Sequence, residues 1–488
     1  MSLWRTKSLQ FIELEANSGQ QKLERTLGPF SLILLGIGAI VGAGLFSVTG
    51  IAAANNAGPA ITLAFILAAI GCAFTGLCLS ELAAMMPVAG GAYSYTYATL
   101  GELIAWVVGW LLILQYGTGA ITVAISWSGY VISFLQGINI HLPIVLTASP
   151  WQPTELLDGS IVYGWINLPA LVIVLLLSSL LICGVEKSSK VNNALVVVKM
   201  SVVFIFIAVG VFYITPSNYT PFVPQNQGSF GEFGWSGVMR ASGIVFLAYI
   251  GFDAVATTAQ EVKNPQKSLP IGIIGSLIVC TVIYVLFSAV LVGLVPYLQL
   301  NVSAPVATAV NQTPFSWLNG LIKLAIIAGL TSVVLVMMLA LSRIFLAMSK
   351  DGLLPGFLSV VHPKFHTPWI SSLLVMIVVG LFAAFAPLEM MGQLSSIGTL
   401  FIFVIVCASV IVLRKSEPEA NRPFKTPLVP FIPMMGMGIC SLLMLSLGVT
   451  TWAYLMIWIL IGLLIYFTYS RQKSHLAKLE KAEESVNF

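Results

Sequence analysis

The chain has 488 residues, of which 58% are hydrophobic and 8% charged, and a formal net charge of +4. Soluble globular proteins carry roughly 25% charged residues, so water is excluded as the main solvent and lipid takes its place. The positive charges are spread along the chain instead of forming a patch, which excludes a nucleic-acid footprint as their meaning.

The polar stretch Met1 to Thr26 has mixed charge, and no basic segment with a short apolar core and a small-residue cleavage site precedes the first apolar run. Met1 is therefore expected to stay uncleaved and cytoplasmic. A spanning helix needs about 20 mostly apolar residues. Such stretches recur over 29 to 55, 60 to 86, 101 to 137, 166 to 183, 191 to 215, 236 to 260, 269 to 296, 319 to 350, 369 to 387, 391 to 413, 428 to 449 and 451 to 470. Runs such as Leu171 to Ile182 and Leu277 to Val295 are apolar on every face, and the alternating segments of an outer-membrane barrel are absent. The expected fold class is an all-α polytopic membrane protein with twelve transmembrane helices.

Lysine and arginine placement sets the orientation. Arg5, Lys7, Lys22, Arg25, Lys187, Lys190, Lys263, Lys267, Lys350, Lys364, Arg414, Lys415, Arg422, Lys425, Arg471, Lys473, Lys478 and Lys481 all fall on one side, whereas the loops 138 to 165, 216 to 235 and 297 to 318 have none. Both termini are thus expected inside a bacterial-type inner membrane. The inside loop 87 to 100 also has no basic residue. Cys72, Cys78, Cys183, Cys280, Cys407 and Cys440 all lie in proposed spans, which suggests neither a disulfide framework nor a metal site. His141, His362, His366 and His475 lie in loops or the tail, and no hydrolase or metalloprotease motif is present, so no enzyme is expected and no cofactor is implied.

Spans one and six each contain a glycine interruption at mid-membrane depth, Gly36 to Phe46 in the first and Ala248 to Asp253 in the sixth. Interrupted helices at matching places in two halves point to a carrier's binding site, because unwound backbone exposes groups that lipid cannot satisfy. A half-helix starting near Phe46 aims its positive end at an anion, while carbonyls near Ile40, Leu247 and Ile250 suit an ammonium. Together they describe an α-amino acid zwitterion. Gly38-x-x-x-Gly42 is also the pattern of a plain small-residue packing face; the added Gly44 and the second break favour the binding reading. A channel would need rings of carbonyls or charges around a continuous pore, which the paired breaks fit less well.

Five motifs stand in order: Gly36 to Phe46; Glu81 to Tyr95, containing Pro87, Gly90, Gly91 and Tyr93; Tyr249 to Pro270, with Glu261, Asn264 and Pro265; Ser342-Arg343 through Asp351-Gly352 to Pro355; and Arg422-Pro423-Phe424. On these the chain resembles the amino acid, polyamine and organocation superfamily, close to its bacterial cationic-amino-acid-transporter-like branch. The resemblance implies a LeuT-type fold: a cytoplasmic segment 1-28, inverted five-helix repeats over 29-215 and 236-413, two extra helices over 428-470 and a cytoplasmic tail 471-488. It implies that a substrate carboxylate meets Gly42, Ala43 and Gly44 and its amino group the carbonyls of Ile40, Leu247 and Ile250, with Ala248 leaving room for a modest side chain. It also places Lys199 where sodium-coupled members of the fold hold a cation, near Gly38 and Val41 of the first helix and Thr331 and Ser332 of the eighth.

Lys199 lies about 12 Å inside span five, at 1.5 Å per residue from Val191. It is expected either to couple transport to protons or to serve as a permanently charged strut between helices. Asp253 either caps the second half-helix or touches substrate. Arg343 and Glu81 are candidates to join Asp351 in an inner gate, or else are solvated helix ends, and Arg240, Lys323 and Glu102 are expected to reach the interface. Similar cationic-type carriers often have glutamate before the tyrosine matching Tyr116, where this chain has Gln115. An unpaired side-chain cation in the site would cost several kcal/mol, so neutral amino acids are the favoured substrates, with cationic ones or amino acid exchange as the alternative. The sequence leaves open symport, exchange and uniport, the oligomeric state and any small accessory membrane subunit.

Overall fold

The computed structural model describes residues 5–7, 27–87, 90–151, 153–155, 161–183, 188–257, 259, 262–365 and 367–478. Lys22, Arg25, Lys187, Glu261, His366 and Lys481, named above, lie outside these, as do the side chains of Cys183 and Lys190. The chain is built from α1 (Pro29–Ile40), α2 (Ile61–Met85), α3 (Ala92–Thr99), α4 (Glu102–Gly137), α5 (Leu168–Cys183), α6 (Ser188–Gly210), α7 (Gly234–Val245) and α8 (Phe252–Thr257). These are followed by α9 (Pro265–Leu294), α10 (Pro305–Val310), α11 (Ser316–Lys350), α12 (Trp369–Phe385), α13 (Leu388–Ser416), α14 (Phe431–Ser446) and α15 (Val449–Ile465).

Among the described residues, eight helical runs are long and apolar enough to cross a membrane, and four shorter apolar helices accompany them. The protein is thus an all-α polytopic membrane protein. Every apolar stretch predicted from the sequence contains one of these helices. One small exception to the helical class is a hairpin, Pro153–Glu155 paired antiparallel with Ile161–Tyr163, in the loop before α5.

The two predicted interruptions are present. After α1 the chain leaves helical geometry at Val41, then resumes at Gly44 through π and α turns to Ala57. The second half-helix thus starts two residues before Phe46, where the sequence had placed it. After α7 the chain tightens into a 3-10 turn, Phe246–Tyr249, passes through extended Ile250 and a left-handed Gly251 with φ 122°, then restarts as α8. Gly251 is required there: a Cβ would sit 2.8 Å from the Ala39 carbonyl, so the second break lies directly on the first. Around the pair, α4 packs on α11 and α13, and α9 packs on α1 and α2.

Candidate functional site

Gly44 and Ala248 bring the two breaks into contact, since a Cβ on Gly44 would fall 2.6 Å from both the Cβ and the amide nitrogen of Ala248. Only glycine permits that approach. Helix starts leave their first N–H groups without intrahelical acceptors, so Gly42, Ala43 and Gly44 present amide donors where α1's continuation begins. The Gly42 carbonyl is used internally, accepting from Leu45 N–H at 3.1 Å and Phe46 N–H at 3.2 Å. On the facing side, Leu247 O accepts from Ile250 N–H at 3.2 Å.

Tyr284 of α9, which sequence reasoning missed, joins the two breaks. Its hydroxyl lies 3.0 Å from the Ile40 carbonyl and 2.7 Å from that of Ala248. A single O–H serves one acceptor fully at a time, so each carbonyl keeps a lone pair for another donor. The ring is buried against Tyr249 and Phe65. The available signal was a phenol in the middle of a span otherwise read as apolar. Tyr284→Phe keeps the ring and removes the donor. Loss of one hydrogen bond of about 1 kcal/mol is expected to raise the substrate concentration for half-maximal uptake about fivefold, measured by labelled uptake at matched expression.

Lys199 of α6 is fully buried, and its ammonium donates to the carbonyl of Gly38 and, at 2.9 Å, to that of Val41. Gly38 is in the last turn of α1 and Val41 just past its end, where the helix stops and leaves carbonyls without a helical donor. The lysine stem rests on α11 at Gly329, where a Cβ would sit 2.7 Å from Lys199 Cβ. The expectation for the eighth span is partly corrected. Thr331 Oγ1 donates to Ile327 O at 2.8 Å and accepts from Trp127 of α4 at 2.9 Å, so this hydroxyl is committed to α4. Ser332 is buried on the same helix.

Asp253 is the second residue of α8, and the backbone N–H it accepts from lies before that helix, not within it. Its Oδ1 accepts from Gly251 N–H at 3.1 Å, and its Oδ2 accepts from Tyr116 Oη at 3.0 Å and, more weakly, from Gln115 Nε2 at 3.4 Å. Gln115 therefore bonds a neighbouring helix, as membrane amides often do, and its buried Oε1 has no hydrogen-bond partner. The amide does not leave the region without an anion, as the sequence argument assumed, because Asp253 stands against it. Three donors already occupy that carboxylate.

Glu81, a candidate for an inner gate or else a solvated helix end, is taken up elsewhere. Glu81 is 1% exposed and accepts from Arg414 at 2.8 and 3.0 Å and from Thr426 N–H at 2.7 Å, with Arg422 3.5 Å away. A carboxylate this buried takes the nearest guanidinium, here Arg414 in the last turn of α13, with Arg422 of the following loop close by. Arg343 is exposed on α11, and Asp351 instead pairs with Lys7 at 2.7 Å. Nor do two of the residues expected at the interface reach it. Glu102 is 1% exposed among hydroxyl donors, and Lys323, 5% exposed, donates to Ser133 O at 3.1 Å.

On the other side of the breaks, Ser47 Oγ donates to Ser303 O at 2.7 Å and Tyr130 Oη donates to Phe46 O. Gly50 lies against Pro305, the first residue of α10, so this short helix covers the continuation of α1.

A sequence model of the amino acid permease family matches residues 27–466. The chain is 45% identical to the branched-chain amino acid permease BcaP of Bacillus subtilis, over 97% of this chain and 99% of that one. It is 43% identical to the methylthioribose transporter of the same organism, over 98% and 100% of the two chains. It is 34% identical to the vacuolar cationic amino acid transporter 4 of Arabidopsis thaliana, over 86% of this chain and 68% of that one. With a family match across nearly the whole length and relatives this similar, the chain belongs to the amino acid permease family of the amino acid, polyamine and organocation superfamily.

Proposed function

We propose that the chain is a proton-coupled carrier that takes up neutral amino acids with branched apolar side chains by alternating access. The observation that carries this reading is the meeting of two helix breaks at Gly44 and Ala248, with amide donors on one side and the Ile40 and Ala248 carbonyls on the other. Such a site suits a carboxylate and an ammonium on one carbon. The branched-chain permease relative, similar over nearly its full length, supports that substrate class. Lys199, behind the first break, is the proposed proton carrier.

The wider frame of the proposal is twelve spans arranged as inverted repeats over 29-215 and 236-413 with two further helices over 428-470. The membrane is a bacterial plasma membrane, with both termini cytoplasmic.

A second reading has a specific support. The methylthioribose transporter is almost as similar to this chain, and an uncharged sugar thioether would need hydrogen-bond acceptors such as Gln115 Oε1 in place of the zwitterion's partners. Competition against labelled leucine uptake in proteoliposomes, using isoleucine, valine, alanine, arginine and methylthioribose, decides between them. Strong competition by isoleucine and valine with none from methylthioribose supports the amino acid reading, and the reverse order refutes it.

Cationic substrates are excluded in this account because Asp253 is already capped by three donors. Gln115→Glu would replace a donor to Asp253 by a second carboxyl, and the pair, sharing one proton, would hold a negative charge less fully capped and able to meet a side-chain cation. Arginine, inert toward the unaltered protein, is expected to compete with leucine about tenfold better in this variant, measured in the same competition assay.

A further inference from the structure

Arg240 lies in the second turn of α7, at the end of the bundle where the continuation of α1 runs out and Gly237 of α7 meets the Asn56 carbonyl. The loops 138 to 165, 216 to 235 and 297 to 318, assigned to this side, contain no lysine or arginine. A cation at this end runs against the charge bias of membrane chains, so it calls for a partner.

The guanidinium lies between two stretches of backbone. In the loop before α7, Gly231 is left-handed, with φ 89°, and a Cβ there would collide with Arg240 Cδ and come within 3.1 Å of Nη1. Asn56 Nδ2 pins the same glycine by donating to its carbonyl at 2.7 Å. On the other side, a Cβ on Gly448, in the turn between α14 and α15, would lie 3.3 Å from Arg240 Nη2. Among the described residues no carbonyl or carboxylate accepts from this guanidinium. Its Nε is buried without a hydrogen-bond partner, and Glu232, the acid nearest in sequence, is exposed and makes no ion pair with it.

The start of α15 adds donors beside the same guanidinium. Gly448 is the N-cap, with no side-chain acceptor, and its carbonyl takes the N–H of Thr451 at 3.0 Å and of Trp452 at 3.3 Å. The N–H groups of Val449 and Thr450 have no intrahelical acceptor. A 17-residue helix that begins next to an unpaired guanidinium favours an anion there. The flanks are apolar: Phe230, beside Gly231, is 59% exposed, Val449, beside Gly448, is 86% exposed, and Leu442 and Leu445 of α14 are exposed as well. A free anion satisfies the donors and leaves those flanks in lipid or water. A phosphate that carries acyl chains satisfies both, and its oxygens match the guanidinium fork.

We propose that Arg240, with the amides that open α15, binds the phosphate of an anionic glycerophospholipid whose acyl chains cover Leu442 and Leu445. The phosphate then bridges α7, which leads into the second break, to the turn between α14 and α15. Basic pockets between membrane helices are suited to such headgroups. No feature of the substrate site enters this argument, so it and the carrier reading stand or fall separately.

The test uses the full chain, purified in detergent and stripped of lipid, then titrated with phosphatidylglycerol or phosphatidylcholine while native mass spectrometry follows the tightest bound lipid. The unaltered protein is expected to hold phosphatidylglycerol about tenfold more tightly than phosphatidylcholine. Arg240→Gln, which removes the charge, is expected to bring that ratio close to one, and Arg240→Lys, a point charge without the fork, to fall between. Val449→Asp sets a carboxylate beside an intact Arg240, at an exposed position where an acid suits the helix start. It is expected to abolish the preference too, and it serves if the Arg240 variants do not fold. An unchanged ratio in Arg240→Gln and Val449→Asp would overturn the site. Inorganic phosphate at the same concentration is expected to displace no lipid; displacement would assign the site to a free anion and overturn the lipid as its occupant.

Discussion

Replacing Lys199 with methionine is expected to abolish accumulation of leucine against its gradient while leaving the protein folded. Methionine fills much of the same volume beside Gly329, but the carbonyls of Gly38 and Val41 lose their donor. Two buried acceptors left unpaired, at about 1–3 kcal/mol each, correspond to a loss of about 30-fold or more. That loss alone does not separate a proton carrier from a fixed strut, because both need the ammonium in place. Lys199→Arg does separate them. Arginine keeps the charge and the donors but does not give up its proton in proteins, so it supports a strut and cannot support a carrier. Gradient-driven accumulation is expected to vanish in Lys199→Arg as well. Retention of it, measured as the ratio of uptake with and without an inward proton gradient, would assign the lysine a structural role.

The second large effect is expected at Gly44. A Cβ there collides with the backbone of Ala248, which belongs to the other break and cannot step aside without moving the whole half-helix. Overpacking of this kind ordinarily costs about 1–3 kcal/mol, and here it also pushes apart the groups that would receive the substrate. Gly44→Ala is therefore expected to lower uptake at least about 100-fold. Gly42→Ala is the matched control, because its Cβ meets Val333 Cγ1 at 3.2 Å, the end of a side chain that can give way. A loss below about tenfold is expected there. Uptake at equal surface expression ranks the two variants; the opposite order would mean that the breaks do not touch as described.

Much of this arrangement was legible in the sequence because it is written in backbone chemistry. Glycine at positions 42, 44 and 251 marked both interruptions, and the buried lysine announced itself as the one long cation far from any span end. What escaped the sequence depended on partners brought together from distant segments. Tyr284 gave no pattern, since a lone phenol in an apolar run is read as filling until the carbonyls of Ile40 and Ala248 are placed beside it. Glu81 was read, from its position near the end of α2, as a candidate for an inner gate or else a solvated helix end, but Arg414 at the end of α13 and the Thr426 amide beyond it, which close on it, could not be foreseen from spacing. Glu102 and Lys323 were expected to reach the interface because long side chains at helix ends usually do. Hydroxyls on Tyr97, Tyr466 and Ser474 and the Ser133 carbonyl satisfy them inside the protein instead.

Gln115 shows how a reading taken from one residue can rest on an incomplete argument. The amide was taken to remove the only anion from the site, and the structure sets the Asp253 carboxylate beside it. On the proposed reading, selectivity for neutral substrates depends on how fully that carboxylate is engaged by Tyr116, Gln115 and the Gly251 amide, a property of three segments that no local motif carries.

Leucine uptake into proteoliposomes containing no internal amino acid, with and without an inward proton gradient, tests the central claim most directly. The account predicts leucine accumulation above the external concentration only when the gradient is imposed, together with proton entry. Uptake that merely equilibrates under both conditions, or that requires amino acid inside, would contradict proton coupling and identify a uniporter or an exchanger.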